Sequence, residues 1–158
     1  MKQTITISYN VYDHLEDLPI EDQKLLNHAI DASKKAYAPY SKFHVGAAVL
    51  LDNGIIVEGN NQENLAYPSG LCAERVAVFS ASAIYPQNKI KAIAITAFSD
   101  NFITDKPISP CGACRQSLFE YEIRDKQPIR CILRGTKGPI YIFNNIQDLL
   151  PLQGVFLQ

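Results

Sequence analysis

Near the start of the chain Ile5, Ile7, Tyr9 and Val11 alternate with Thr4, Thr6, Ser8 and Asn10, the period-two pattern of a strand with one buried face. The period then changes. Between Ile20 and about Tyr37 the apolar positions Leu25, Leu26, Ala29, Ile30, Ala36 and Tyr37 fall mostly on one face of a 3.6-residue repeat, and Pro39 ends it, which predicts a helix. Val45 to Leu51 and Ile55 to Gly59 are apolar runs joined by Asp52-Asn53-Gly54. Asn-Gly tolerates the positive φ of a tight turn, so a β-hairpin is expected there. After a loop rich in Asn, Pro and Gly, Cys72 to Ala83 carries Val76, Ala77, Phe79, Ser80 and Ala83 at helical spacing. Lys91 to Phe98 reads as a buried strand, and a loop containing Pro107 and Pro110 leads into a second such helix, Cys111 to Tyr121. Two further strands, Ile129 to Leu133 and Ile140 to Phe143, are separated only by residues 134–139. A parallel crossover needs a dozen or more residues, so this pair must be antiparallel. A short helix at Ile146 to Leu150 and a tail from Pro151 to Gln158 follow. The order of elements predicts an α/β fold: a three-layer α/β/α sandwich on a mixed sheet of about five strands, the last two antiparallel.

Nothing in the 158 residues repeats and no Gly/Ser-rich linker interrupts them, so residues 1–158 read as a single domain, with 1–20 an N-terminal extension of unassigned role. A hydrophobic fraction of 47% with 20% charged residues is that of an ordinary globular protein. The formal net charge of -1 lacks the positive excess that binding to a polynucleotide requires, so no nucleic-acid partner is expected. Val45 to Leu51, the longest apolar stretch, is broken by Gly46 and falls far short of the roughly 18 residues of a membrane span. The first residues form no continuous apolar signal region. A cytoplasmic address and no membrane partner follow as expectations.

The cysteines change the picture from fold to chemistry. Four are too few for a disulfide scaffold, and Cys111-Gly-Ala-Cys114 has the spacing that in a reducing compartment points to metal or redox chemistry. Alone, that spacing is compatible with a redox pair. Joined to Cys72-Ala73-Glu74 at the start of the preceding helix, it supplies three thiols and one acid, the inventory of a catalytic zinc site with an open fourth position. Helix N-termini suit thiolates, because unpaired N–H groups and the positive end of the dipole stabilise the charge. Cys131, mid-strand between Ile129 and Leu133, reads as core. It is also the one residue that could close a four-cysteine structural site, which would make the chain a zinc-stapled interaction domain instead of an enzyme. His14, His28 and His44 have no ligand spacing with anything and receive no role.

Cys72-Ala-Glu74-Arg75 followed by Pro110-Cys111-Gly-Ala-Cys114-Arg115-Gln116 resembles the signature of the cytidine deaminases. The likeness extends to Ala36-Tyr-Ala-Pro-Tyr-Ser-Lys-Phe43, to Val45-Gly-Ala-Ala48, to Asn61 through Gly70 and to Leu149-Leu-Pro151, so it covers about residues 24–151. It implies that Cys72, Cys111 and Cys114 bind one Zn2+ per subunit, with water at the fourth position and Glu74 as the proton shuttle. Glu74 would take a proton from that water, protonate N3 of the base and later serve the departing amine. The implied reaction is hydrolytic deamination of cytidine and 2′-deoxycytidine to the uridine nucleosides with release of ammonia, a salvage step. Three thiolates leave such a site electron-rich, and Arg75 is the candidate donor to a ligand sulfur, with Arg115 behind it. On the substrate side the resemblance implies Asn61 and Glu63 at the ribose 3′-hydroxyl, Phe43 stacked on the pyrimidine, and the backbone at Ala73 reading the exocyclic amine. The small members of the family are homotetramers in which a C-terminal aromatic of a neighbouring subunit covers the base. Here Leu152 follows Pro151, and the next aromatic is Phe156. A cytosine-bearing antibiotic such as blasticidin S is an alternative substrate within the same chemistry.

Overall fold

Nine elements follow one another in the computed structural model, which describes residues 1–154: β1 (Asn10–Tyr12), α1 (Ile20–Ser33), β2 (Phe43–Leu51), β3 (Ile56–Asn60), α2 (Ala73–Ile84), β4 (Ile90–Ser99), α3 (Gly112–Asp125), β5 (Arg130–Arg134) and β6 (Ile140–Phe143). The strands form one mixed sheet in the order β1-β6-β5-β4-β2-β3. β4 and β5 are parallel, with α3 as their crossover, and every other pair is antiparallel, including β5 with β6.

Strand geometry sends successive side chains to opposite faces, and here both faces are covered, which is why β2 and β4 read as near-continuous apolar runs. On one face Ala48, Leu50, Ala92, Ala94 and Ile132 pack against Leu25, Leu26 and Ala29 of α1. On the other, Ala47, Val49, Ile93, Ile95, Cys131 and Leu133 meet Ala73, Ala77, Val78 and Ala81 of α2 and Leu118 and Phe119 of α3. The result is the expected three-layer sandwich, with one helix on the first face and two on the second. Among the described residues no helix is long and apolar enough to cross a membrane.

Three details depart from the sequence pattern. The sheet has six strands, not about five, because Asn10–Tyr12 adds itself to the free edge of β6. Only these residues of the alternating segment pair. Asn10 sits opposite Ile142, so residues before Tyr9 run past the end of β6, and the Tyr9 ring packs on Tyr141 and Phe143 at centroid distances of 4.9 and 5.0 Å. Helix α1 stops at Ser33, short of Tyr37, because the Tyr37 N–H donates to the Asn61 carbonyl (3.0 Å) and the Tyr37 carbonyl accepts from Glu63 N–H (2.9 Å). A tertiary bridge outcompetes the helical period there. The short helix near the end is a single 3-10 turn, Gln147–Leu149. It is tied back by buried Glu122 of α3, whose carboxylate accepts from the N–H groups of Ile129 (2.8 Å), Ile146 (2.8 Å) and Gln147 (3.1 Å).

Two glycines set how closely the helices approach. A methyl group at Gly46 would overlap the Ala29 carbonyl of α1, and one at Gly59 would overlap the α2 backbone at Ala73 and Ala77. Gly59 therefore lets the first turn of α2 lie directly on β3. Gly59→Ala is expected to cost about 1–3 kcal/mol through forced separation of backbones, and to lower metal retention because that turn begins at Cys72. Thermal melts with metal analysis on the same samples check this. An unchanged melting temperature would refute the close-packing argument.

Candidate active site

Helices α2 and α3 lie side by side on one face, and both start at a cysteine: Cys72 is the N-cap of α2 and Cys111 the N-cap of α3. Neither sulfur caps its own helix, so both are free to point elsewhere. Cys114, one turn into α3, completes the group, and the three Sγ atoms lie within 4.8 Å of one another. Cys72 and Cys111 are 3.8 Å apart. With Zn–S bonds of about 2.3 Å, tetrahedral geometry puts two sulfurs about 3.8 Å apart, so the donor set fits zinc in spacing as well as in chemistry. Three donors leave the fourth position open. Cys131 is fully buried in β5 and, among the described residues, does not belong to this cluster. Burial pushes its thiol up, so it stays neutral. The four-cysteine shell is therefore not formed.

Charge in the group is unevenly shared. The Cys72 thiol is brought down to about 5, first by the hydrogen bond from Cys114 and then by Arg75 and Cys111. Cys114, the donor in that pair and buried besides, is pushed up. A guanidinium nitrogen of Arg75 lies 3.7 Å from Cys72 Sγ. Arg115 instead donates to the carbonyls of Pro110 and Leu149 and to Ser109 Oγ, each at 2.8 Å, and so fixes the segment that delivers Cys111.

Glu74, in the first turn of α2, is only 5% exposed. Burial pushes its carboxyl up to about 7, and the charge of Cys72 adds to the effect. A carboxyl in that range can both hold and release a proton near neutral pH. Glu74, Arg75, Cys72 and Cys111 line a cavity of about 700 Å³, a size usual for small-molecule sites.

Phe43, Asn61 and Glu63 line the same cavity. Phe43 opens β2, with its ring stacked on Phe102 at 6.0 Å and 18°. Asn61 follows β3 and stitches it to β2: its Oδ1 accepts from Val45 N–H (2.8 Å) and its Nδ2 donates to the Phe43 carbonyl (2.9 Å). Glu63 accepts from the N–H groups of Tyr40 (2.9 Å) and Ser41 (3.3 Å) and from the Ser41 hydroxyl. Burial works to raise its carboxyl, but the Ser41 hydroxyl and these N–H groups outweigh it and hold it below the usual range. Ala73 is fully buried, its side chain in the core and its backbone between Cys72 and Glu74. Leu152 is 88% exposed, and Phe156 lies outside the described residues. The sequence marks Tyr40 and Ser41 only by their place in the motif, since no periodicity singles out two loop residues whose partner is more than twenty positions away.

The model of the cytidine and deoxycytidylate deaminase zinc-binding region matches residues 19–127. The cytidine deaminase of Halalkalibacterium halodurans is 43% identical over 132 residues, covering 84% of this chain and 92% of the relative. That of Mycobacterium tuberculosis is 36% identical over 117 residues, covering 72% and 84%. Among solved structures, cytidine deaminase from Burkholderia pseudomallei superposes with a TM-score of 0.71 at 38% identity, covering 82% of this chain and 95% of that one. On the convergent cysteines, the buried glutamate and these likenesses together, the chain belongs to the cytidine and deoxycytidylate deaminase family.

Proposed function

We propose that this protein is a zinc-dependent hydrolase that converts cytidine and 2′-deoxycytidine to uridine and 2′-deoxyuridine with release of ammonia. One observation carries the reading: a buried carboxyl, Glu74, shares a cavity with three converging cysteine sulfurs whose donor count leaves one metal position open. Cys72, Cys111 and Cys114 would hold one zinc ion per subunit, and the metal supplies, when bound, a water activated for attack near neutral pH. Glu74 accepts the proton released there and passes it to N3 of the pyrimidine, which makes C4 electrophilic. After water has added at C4, the same carboxylate takes the proton of the new C4 hydroxyl and hands it to the exocyclic amine, so that the C4–N4 bond breaks, ammonia leaves and a C4 carbonyl remains. Its burial supports both halves, since a carboxyl raised by desolvation accepts each proton more readily than an ordinary surface glutamate and still releases it. Arg75 offsets the surplus negative charge of three thiolates at Cys72. Phe43 stacks on the base, the backbone at Ala73 receives the exocyclic amine, and Asn61 and Glu63 hold the ribose 3′-hydroxyl.

The same reading makes residues 1–158 one deaminase domain with residues 1–20 as an extension, acting as a cytoplasmic homotetramer. Three uncrosslinked metal-ligating thiols suit a reducing compartment. Phe79, Ile84 and Ile123, at 41%, 61% and 53% exposure on α2 and α3, offer apolar surface for association, as do Leu65 and Tyr67. Tyr67 also lines the cavity, so a subunit docked on that surface would lie within reach of the substrate.

The decisive assay follows cytidine absorbance on purified protein of known zinc content. Turnover is expected from the parent protein, and Glu74→Gln should keep fold and zinc while losing activity by about 10²–10⁴-fold. No turnover at full zinc occupancy would overturn the assignment. Arg75→Ala should lower zinc content or turnover. Wild-type values for both would remove Arg75 from the site. Cys131→Ser should retain one zinc per subunit while melting earlier, because a hydroxyl replaces a thiol in the core. Loss of the metal in that variant would restore the structural four-cysteine reading.

A further inference from the structure

We propose that Ser41 is a positioning residue that couples the sugar end of the cavity to its aromatic wall, tying the Glu63 carboxylate to the backbone of Phe43 through one hydroxyl. The inference rests on the assignment of Glu63 to the sugar and Phe43 to the base. Ser41 Oγ contacts Glu63 Oε1 and lies 3.0 Å from the Phe43 nitrogen. The direction of each bond is fixed. An ionised carboxylate can only accept, so the single hydroxyl proton goes to Glu63, and a lone pair on the oxygen receives the Phe43 N–H.

The carboxylate of Glu63 has about four acceptor sites. The turn fills three, through the N–H groups of Tyr40 and Ser41 and the Ser41 hydroxyl, which leaves one for a substrate hydroxyl. Phe43 is gripped from its other side as well, since its carbonyl accepts from Asn61 Nδ2 at 2.9 Å. Both polar groups of one residue are thus governed by the loop that carries Asn61 and Glu63. Between Ser41 and Phe43 the chain passes through Lys42 at φ 55°, a left-handed conformation unusual for a side chain other than glycine. That residue is held on both sides: its N–H donates to the Ala38 carbonyl (3.1 Å) and its carbonyl accepts from Asp100 N–H (3.1 Å). With Lys42 anchored, the turn has little freedom to adjust. A change at Glu63 is transmitted to Phe43 through the Ser41 hydroxyl.

A hydroxyl that merely closed a turn would matter equally to every substrate, whereas a coupling hydroxyl matters most to a nucleoside that engages Glu63. Ser41→Ala and Ser41→Thr are compared with the parent protein by thermal melt and by kinetics on cytidine and on 2′,3′-dideoxycytidine, the latter measured as substrate or as competitive inhibitor. Ser41→Ala should raise KM for cytidine on the order of tenfold, the scale of a hydrogen bond to a charged group, with a smaller fall in kcat. For the dideoxynucleoside, which lacks the hydroxyl that Glu63 receives but still stacks on Phe43, the same substitution should lower kcat/KM or weaken inhibition by a clearly smaller factor, the part owed to the aromatic wall alone. Ser41→Thr, which keeps the hydroxyl, should recover most of the cytidine value. Equal losses on both nucleosides, or no loss on cytidine, overturn the coupling while leaving the deaminase assignment intact. Absence of cytidine turnover in the parent protein removes that assignment and the coupling with it.

Discussion

Two helices begin at one point in space, and the rest of the molecule serves that convergence. Cys72 and Cys111 occupy equivalent places, each the residue immediately before the first helical turn. Their sulfurs meet because α2 and α3 lie on the same face of the sheet, and α3 reaches that face as the crossover between parallel β4 and β5. Bringing thiolates together is costly. Two unit charges about 4 Å apart repel by roughly 4 kcal/mol at an effective dielectric of about 20. The hydrogen bond between Cys114 and Cys72 eases this, lowering the Cys72 thiol and raising that of Cys114. A divalent cation removes the conflict directly, and the helix N-termini and Arg75 carry what is left of the negative charge.

The acid belongs to the same construction. Cys72 precedes the first turn of α2 and Glu74 lies within it, so placing one sulfur also places the carboxyl, and where α2 approaches β3 closely at Gly59 its first turn holds Glu74 buried while Cys72 stays partly exposed. Burial then sets the chemistry. It raises the Glu74 carboxyl to about 7, whereas Glu63, on a loop and surrounded by N–H donors, is held low. Two glutamates in one cavity are driven toward opposite protonation states by their surroundings: one to exchange protons, the other to remain an acceptor.

The chemistry was legible in the sequence because it is local. Cysteine and glutamate two residues apart, and two cysteines three apart, are spacings that a helix start converts into geometry with little help from the remainder of the chain. The alternating faces of β2 and β4 and the antiparallel final pair were readable for the same reason, since short-range periodicity and the brevity of residues 134–139 decide them. Where the pattern misled, a distant contact had taken over. The end of α1 is set by the bridge between Tyr37 and the loop from Asn61 to Glu63, and β1 exists only where β6 offers an edge. The anchoring of Cys111 by Arg115 through Leu149, and of the final 3-10 turn by Glu122, joins residues more than twenty positions apart. No window of sequence contains both partners.

The cavity consequently has walls of two kinds. Its metal side rests on Ala73, Ala77 and Cys114, which are fully buried, so a change there disturbs the core. The wall formed by Tyr40, Ser41, Asn61 and Glu63 is a polar lattice on turns, whose order comes from hydrogen bonds instead of packing. The N-terminal segment touches neither, because among the described residues the lining begins at Tyr40 and β1 lies at the opposite edge of the sheet from β3. What β1 does is cover β6. An exposed β6 would present unpaired N–H and carbonyl groups beside Ile140 and Ile142, whereas β1 is three residues long, and so short an edge is a poor template for pairing with another chain.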